Sequence, residues 1–174
     1  HYSTIHYNSQ TIFDKLLQIE GIIMIKREIT LYTDGACSGN PGIGGWACVL
    51  IYKQYKKELS CAEENTTNNR MELKAIIEGL KAIKDESAIV NVYSDSAYSV
   101  NAINEGWVYG WMMNGWRTSG KDDVKNVDLW KELIALTKRH DVTFIKVKGH
   151  ADNELNNRCD ALARGAIKEL QKQI

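Results

Sequence analysis

The chain has 174 residues, 44% hydrophobic and 25% charged, with one proline and a mean hydropathy of −0.36. That length suits one domain, the hydrophobic content is too rich for a disordered chain, and no apolar run approaches the ~20 residues of a membrane span. Lys plus Arg and Asp plus Glu balance at 22 each, so the chain lacks the overall basic excess of a passive polyanion binder.

The chain opens on His1, and SQTIFDKLLQIE (9–20) carries helical apolar spacing between Ser9, a possible N-cap, and Gly21. With neither an Arg-rich flank nor a small-residue cleavage site, residues 1–25 read as an extension without assigned function, and residues 26–174 as the domain. KREITLYTD (26–34) alternates and reads as a strand ending on Asp34. GACSGNPGIGG (35–45) reads as a glycine-rich turn, followed by strands WACVLIY (46–52) and KKELSCA (56–62) in a tight meander. TTNNRMELKAIIEGLKAIK (66–84) has helical spacing and a cap-rich start, and AIVNVYSD (88–95) is a strand ending on Asp95. A helix capped by Ser96 follows.

Residues 107–126 interleave Trp107, Trp111 and Trp116 with Gly, Arg and Lys. VDLWKELIALTKRH (127–140) is an amphipathic helix, DVTFIKV (141–147) a strand, KGHADNELNN a polar loop, and RCDALARGAIKELQK (158–172) a closing helix. The pattern β-β-β-α-β-α-(Trp segment)-α-β-α predicts one α/β domain: a mixed sheet with helices on both faces. Cys37, Cys48, Cys61 and Cys159 form no C-x-x-C pair, which fits reduced thiols in a cytoplasmic protein.

Asp34 and Asp95 at strand ends would face one crevice if their strands are neighbours. Glu72, taken as lying in the first turn of its helix, shares a face with Ile76, Gly79 and Ile83 and leans toward the sheet. Asp160 is placed in the first turn of the last helix. Any one of these carboxylates alone reads best as a cap or a surface group. Four at element ends repel one another without a cation, and clustered carboxylates suit hard divalent ions acting on phosphate. His150, in a loop after a strand, has the chemistry of a mobile acid/base near neutrality.

TDGACSGNPGIGGWA (33–47), TTNNRMEL (66–73), YSDSAY (93–98), VKNVDLW (124–130), VKGHADNELNNRCDALA (147–163) and the Trp-rich insert together resemble type 1 ribonuclease H, closest to the bacterial stand-alone enzyme. The resemblance covers roughly residues 26–172. It implies the ribonuclease H fold: a five-stranded mixed sheet, a three-strand antiparallel meander plus two parallel strands, flanked by helices. It implies endonucleolytic cleavage of the RNA strand of RNA–DNA hybrids, leaving 5′-phosphate and 3′-hydroxyl ends. Asp34, Glu72, Asp95 and Asp160 would hold two Mg²⁺ ions, with Mn²⁺ able to substitute, and His150 would assist product release or proton transfer. Asn40, Asn68 and Asn69 would contact the RNA strand near its 2′-hydroxyls, with Cys37 lining that groove. Thr67 and Asn126 would form a DNA phosphate pocket, and Trp107, Trp111 and Ser119 would line the DNA channel. The protein is expected to act as a monomer on hybrid, away from membranes.

Two departures concern affinity for the hybrid. Met112, Met113 and Asn114 stand where relatives carry a more basic handle, and Asn65 where an arginine often supports the phosphate pocket. Without the four proposed ligands the balance is 22 positive against 18 negative, or +4, so cation loading would leave a modestly basic protein. Alternative readings are a ribonuclease H domain of a reverse transcriptase, a non-catalytic nucleic-acid-binding module of the same fold, and a transposase- or integrase-type nuclease. The module leaves the four acids unexplained, and the DNA nuclease leaves TTNNRMEL unexplained.

Overall fold

The computed structural model describes residues 26–148 and 153–174. Its elements run β1 (Glu28–Cys37), β2 (Gly42–Tyr52), β3 (Tyr55–Thr66), α1 (Asn68–Lys81), β4 (Ile89–Ser94), α2 (Ala97–Asn104), α3 (Trp107–Met113), α4 (Val127–Arg139), β5 (Asp141–Lys146) and α5 (Glu154–Gln173). They build one five-stranded sheet in the order β3-β2-β1-β4-β5. β1, β2 and β3 pair antiparallel, while β4 and β5 join in parallel. This is the mixed sheet expected from a hairpin meander followed by crossovers.

The period of two along β2 divides the interior. Trp46, Cys48 and Leu50 enter a large apolar core with Met71, Leu73, Ile76 and Leu80 of α1 and with Trp130 and Leu133 of α4. Ala47 and Val49 point the other way, into a smaller core with Cys159 and Ala163 of α5. The side chains on the α5 face are small, and the helix lies close. A Cβ added at Gly45 would sit 2.4 Å from the Ala163 carbonyl oxygen. On the opposite face a Cβ at Gly35 would sit 2.4 Å from the Glu72 backbone nitrogen. These two glycines let α1 and α5 approach β1 and β2 at backbone contact.

The predicted turn 35–45 is therefore corrected: β1 runs on to Cys37 and β2 begins at Gly42, with ladder pairs from Asp34↔Ala47 to Cys37↔Gly44. The glycines there are strand residues chosen for space, and only the short segment between the strands turns. The last helix also starts earlier than predicted. Asn153 caps α5 by accepting from the Asn156 backbone N–H at 3.1 Å, so the last four residues of the expected polar loop, 154–157, are helix.

Candidate active site

The parallel pairing of β1 with β4 ends at Tyr32↔Tyr93. Beyond that pair β1 continues along β2, whereas β4 stops at Ser94 and the chain turns into α2. Asp34 and Asp95 each lie two residues past the last pair, at the mouth where the strands part. Asp95 directly follows the last residue of its strand, which stops one position short of the expected end; Asp34 does not end its own, because β1 extends three residues further. Serine hydroxyls fix the turn carrying Asp95. Ser94 Oγ accepts from the Ser96 N–H at 3.1 Å, and Ser96 Oγ caps α2 by accepting from the Ser99 N–H at 3.1 Å.

Glu72 arrives from α1. The N-cap of this helix is Thr67, whose hydroxyl accepts from the Arg70 N–H at 3.3 Å. That start puts Glu72 in the second turn, not the first, on the face turned to the sheet. Asp34 and Glu72 are 6% and 5% exposed. Oxygens of Asp34, Glu72 and Asp95 all lie within 4.8 Å of one another. Asp160 completes the mouth from α5, beside Asp34, Asp95, Asn156 and Asn157. It too lies in the second turn of its helix, because α5 begins at Glu154. Its Oδ2 is 2.5 Å from Arg164 Nη2. His150 lies outside the described residues.

Burial, then the charges of Asp95 and Asp160, push the Asp34 carboxyl up to about 8, while the Gly35 N–H acts in the opposite direction. Burial, followed by Asp34 and Asp95, holds Glu72 well above the ordinary carboxylate range. Glu72 Oε2 is buried and has no hydrogen-bond partner among the described residues. An unpaired buried carboxylate oxygen beside two more acids is costly unless a cation occupies the gap. The donor set is all hard oxygen, which fits a divalent cation such as Mg²⁺ or Mn²⁺.

Hydrogen bonds link several of the expected contact residues to one another. Cys37 Sγ donates to the Thr66 carbonyl at 3.4 Å, and Asn40 Oδ1 accepts from the Asn68 N–H at 3.2 Å. The β1–β2 turn is thereby tied to the start of α1, with Asn40, Asn68 and Asn69 exposed along one rim. Thr67 and Asn126 are joined through Arg70, whose backbone N–H reaches Thr67 and whose Nη1 donates to Asn126 Oδ1 at 3.3 Å. Asn126 adopts a left-handed conformation (φ 61°) and donates to the Tyr98 hydroxyl at 3.1 Å. Arg70 also grips Asp128 with two hydrogen bonds, at 3.0 and 2.8 Å.

Trp107, Trp111 and Ser119 sit on a separate arm. Trp107 is 45% exposed. Trp111 is half-buried and packs edge-on against Trp130, with ring centroids 5.9 Å apart. It therefore presents only part of its ring to a ligand. Trp130 is core, while Trp116 is only partly buried.

A match to the ribonuclease H family model spans residues 26–168. The chain belongs to the ribonuclease H family. The ribonuclease H of Caldicellulosiruptor saccharolyticus is 61% identical over 145 residues, covering 83% of this chain and 99% of that protein. The ribonuclease H of Thermoanaerobacter sp. (strain X514) is 62% identical over 145 residues, covering 83% and 93%. Among solved structures, a type 1 ribonuclease H with the type 2 active-site motif aligns with a TM-score of 0.75 at 30% identity, over 83% of this chain and 74% of that one. Membership in the family makes the chain a hydrolase of the ribonuclease class.

Three residues are not evident from the sequence alone. Asn156 lines the acid mouth, is 3% exposed, and leaves Oδ1 without a partner among the described residues. It is hidden because 153–157 resembles a loop. Arg70 and Tyr98 lie inside the motifs TTNNRMEL and YSDSAY, yet nothing in their spacing shows that both hold Asn126.

Proposed function

We propose that this ribonuclease H cuts the RNA strand of RNA–DNA hybrids endonucleolytically, leaving 5′-phosphate and 3′-hydroxyl ends, with two Mg²⁺ ions that Mn²⁺ can replace. The observation that carries the proposal is the convergence of Asp34, Glu72 and Asp95 around an unpartnered Glu72 oxygen. Bound there, the ions would supply an activated water and stabilise the leaving oxygen of a phosphodiester.

The residues of the chain divide the remaining work. Asp34, Glu72, Asp95 and Asp160 hold the cations, and Asp34 stands between the Glu72 side and the Asp160 side of the mouth. His150 serves as a mobile acid/base that moves a proton or helps product leave. Cys37, Asn40, Asn68 and Asn69 orient the RNA strand, where donors and acceptors can recognise a 2′-hydroxyl. Thr67 and Asn126 receive a DNA phosphate, Arg70 holding both in place, and Trp107, Trp111 and Ser119 line the DNA path. Residues 26–174 constitute the catalytic domain, acting as a monomer.

The test is incubation of a labelled RNA–DNA hybrid with and without Mg²⁺, beside single-stranded RNA, duplex RNA and duplex DNA. Cation-dependent cutting confined to the RNA strand of the hybrid is expected. Cutting of duplex DNA, or cutting with the cation chelated, would overturn the reading.

A further inference from the structure

A groove of about 260 Å³ lies between the end of β1 and α5. One wall is Ala36, Cys37 and Ser38; the other is Arg164, Ile167, Lys168 and Gln171, spaced i, i+3, i+4, i+7 on one helix face. Ile167 is buried, while Arg164 and Lys168 are exposed. The groove starts next to the carboxylates, since Ala36 follows Asp34 by two residues and Arg164 follows Asp160 by one helical turn. It runs beside the β1–β2 turn that carries Asn40.

The placement of charge is the informative part. Arg164 holds Asp160 at 2.5 Å, yet a guanidinium has five N–H donors and can engage a second anion at once. Lys168 has no ion-pair partner among the described residues. On the exposed Trp arm, Met112, Met113 and Asn114 carry no charge and Arg117, Lys121 and Lys125 are offset by Asp122 and Asp123, whereas Arg164 and Lys168 on α5 stand one helical turn and two turns from Asp160. We propose that this groove is a track for the RNA-strand backbone, in which Arg164 and Lys168 each hold one phosphodiester next to the scissile one. The inference rests on the hybrid reading above and adds to it the groups that steady the RNA strand.

The test measures hybrid binding across a salt series in the Asp34→Asn background, for Lys168→Ala, Arg164→Ala and the double variant. Lys172→Ala on the same helix, outside the groove, is the control for net charge. Removing one cation that neutralises a phosphate lowers the slope of log affinity against log salt by about 0.7–0.9. Lys168→Ala is expected to lose one such increment and the double variant two, with Lys172→Ala unchanged. Because Arg164 also touches Asp160, Lys168→Ala gives the cleaner kinetic signature in the active enzyme: a several-fold rise in KM, with kcat within about two-fold. Unchanged slopes in both single variants, or an equal loss in Lys172→Ala, would overturn the track. Failure of the unmodified protein to bind or cut hybrid would instead overturn the hybrid reading itself, so the two failures are distinguishable.

Discussion

The acid mouth and the Trp arm are built on opposite principles. The mouth is densely charged, with Asp34 and Glu72 buried and Asp95 and Asp160 partly exposed, and its side chains are placed by strand register and by two glycines that bring helices against the sheet. The arm is largely exposed, and its charges nearly cancel: Arg117, Lys121 and Lys125 against Asp122 and Asp123. Met113 is 91% exposed, and α3 packs inward chiefly through Val108, Trp111 and Met112. Its turns need left-handed backbone at Gly106, Gly115, Trp116 and Lys121, with Asn126 at its foot. On the reading proposed above, chemistry depends on a site whose charges repel, and contact with substrate on an exposed surface whose charges nearly cancel. Substitutions in the mouth should act on turnover, and those in the arm on affinity.

The largest effect is expected from Asp34→Asn. It keeps the shape but removes the carboxylate shared by both sides of the mouth, and turnover should fall by roughly 10³-fold or more. The fold should persist, since the substitution relieves repulsion between buried acids. Wild-type turnover by the purified variant, with a normal circular dichroism spectrum, would end the ligand assignment. His150→Ala should be slower but active, because a positioned acid/base contributes about 10²–10⁴-fold at most. If it proves as inert as Asp34→Asn, His150 is more than an auxiliary.

The charge of the mouth also predicts a pH signature that the arm cannot produce. Asp34 and Glu72 bind protons more tightly in the folded chain than in the unfolded one. The folded state therefore carries the extra protons above the ordinary carboxylate range. With cations chelated, stability is greatest in mild acid and falls as pH rises through about 8, the value to which Asp34 is pushed. Urea melts at pH 5 and pH 9 should show the loss, Asp34→Asn should flatten it, and millimolar Mg²⁺ should reverse it by binding only the folded chain. A metal-free protein equally stable at both pH values would mean that the acids do not crowd one another.

A smaller effect belongs to the arm. Trp111→Ala should raise KM for hybrid more than it lowers kcat. It should also cost about 0.5–1.5 kcal/mol of stability, because Trp130 is left without its edge-on aromatic neighbour. Steady-state kinetics beside a thermal melt separates the two effects. A fall in kcat with KM unchanged would move Trp111 from the binding surface to the catalytic side.

Most of the architecture is legible in the sequence, because alternation in β1, β2 and β4 and the 3.6-residue period in α1 and α4 match the cores they enter. The identities of the four acids are legible for the same reason, since they flank those patterns. Their positions within the elements are less so. Gly35 and Gly45 look like turn residues until the helix backbones they accommodate are known, so β1 reads as ending at Asp34. The polar run before Asp160 hides the Asn153 cap and, with it, Asn156. On the arm, left-handed backbone at Trp116 and Lys121 breaks propensity outright, and no pattern in the chain announces it.

The route by which Asp160 reaches the mouth bears on how the enzyme comes into being. From β5, at the edge of the sheet, the chain returns so that α5 lies over β2, where Gly45 meets Ala163. Asp34, Glu72 and Asp95 belong to segments that leave the ribosome well before this helix does. A nascent chain that has already folded its meander, α1 and β4 thus carries three carboxylates and no wall on the far side of the mouth. The acid cluster is complete only once α5 docks against β2, so folding of the earlier segments alone does not assemble it.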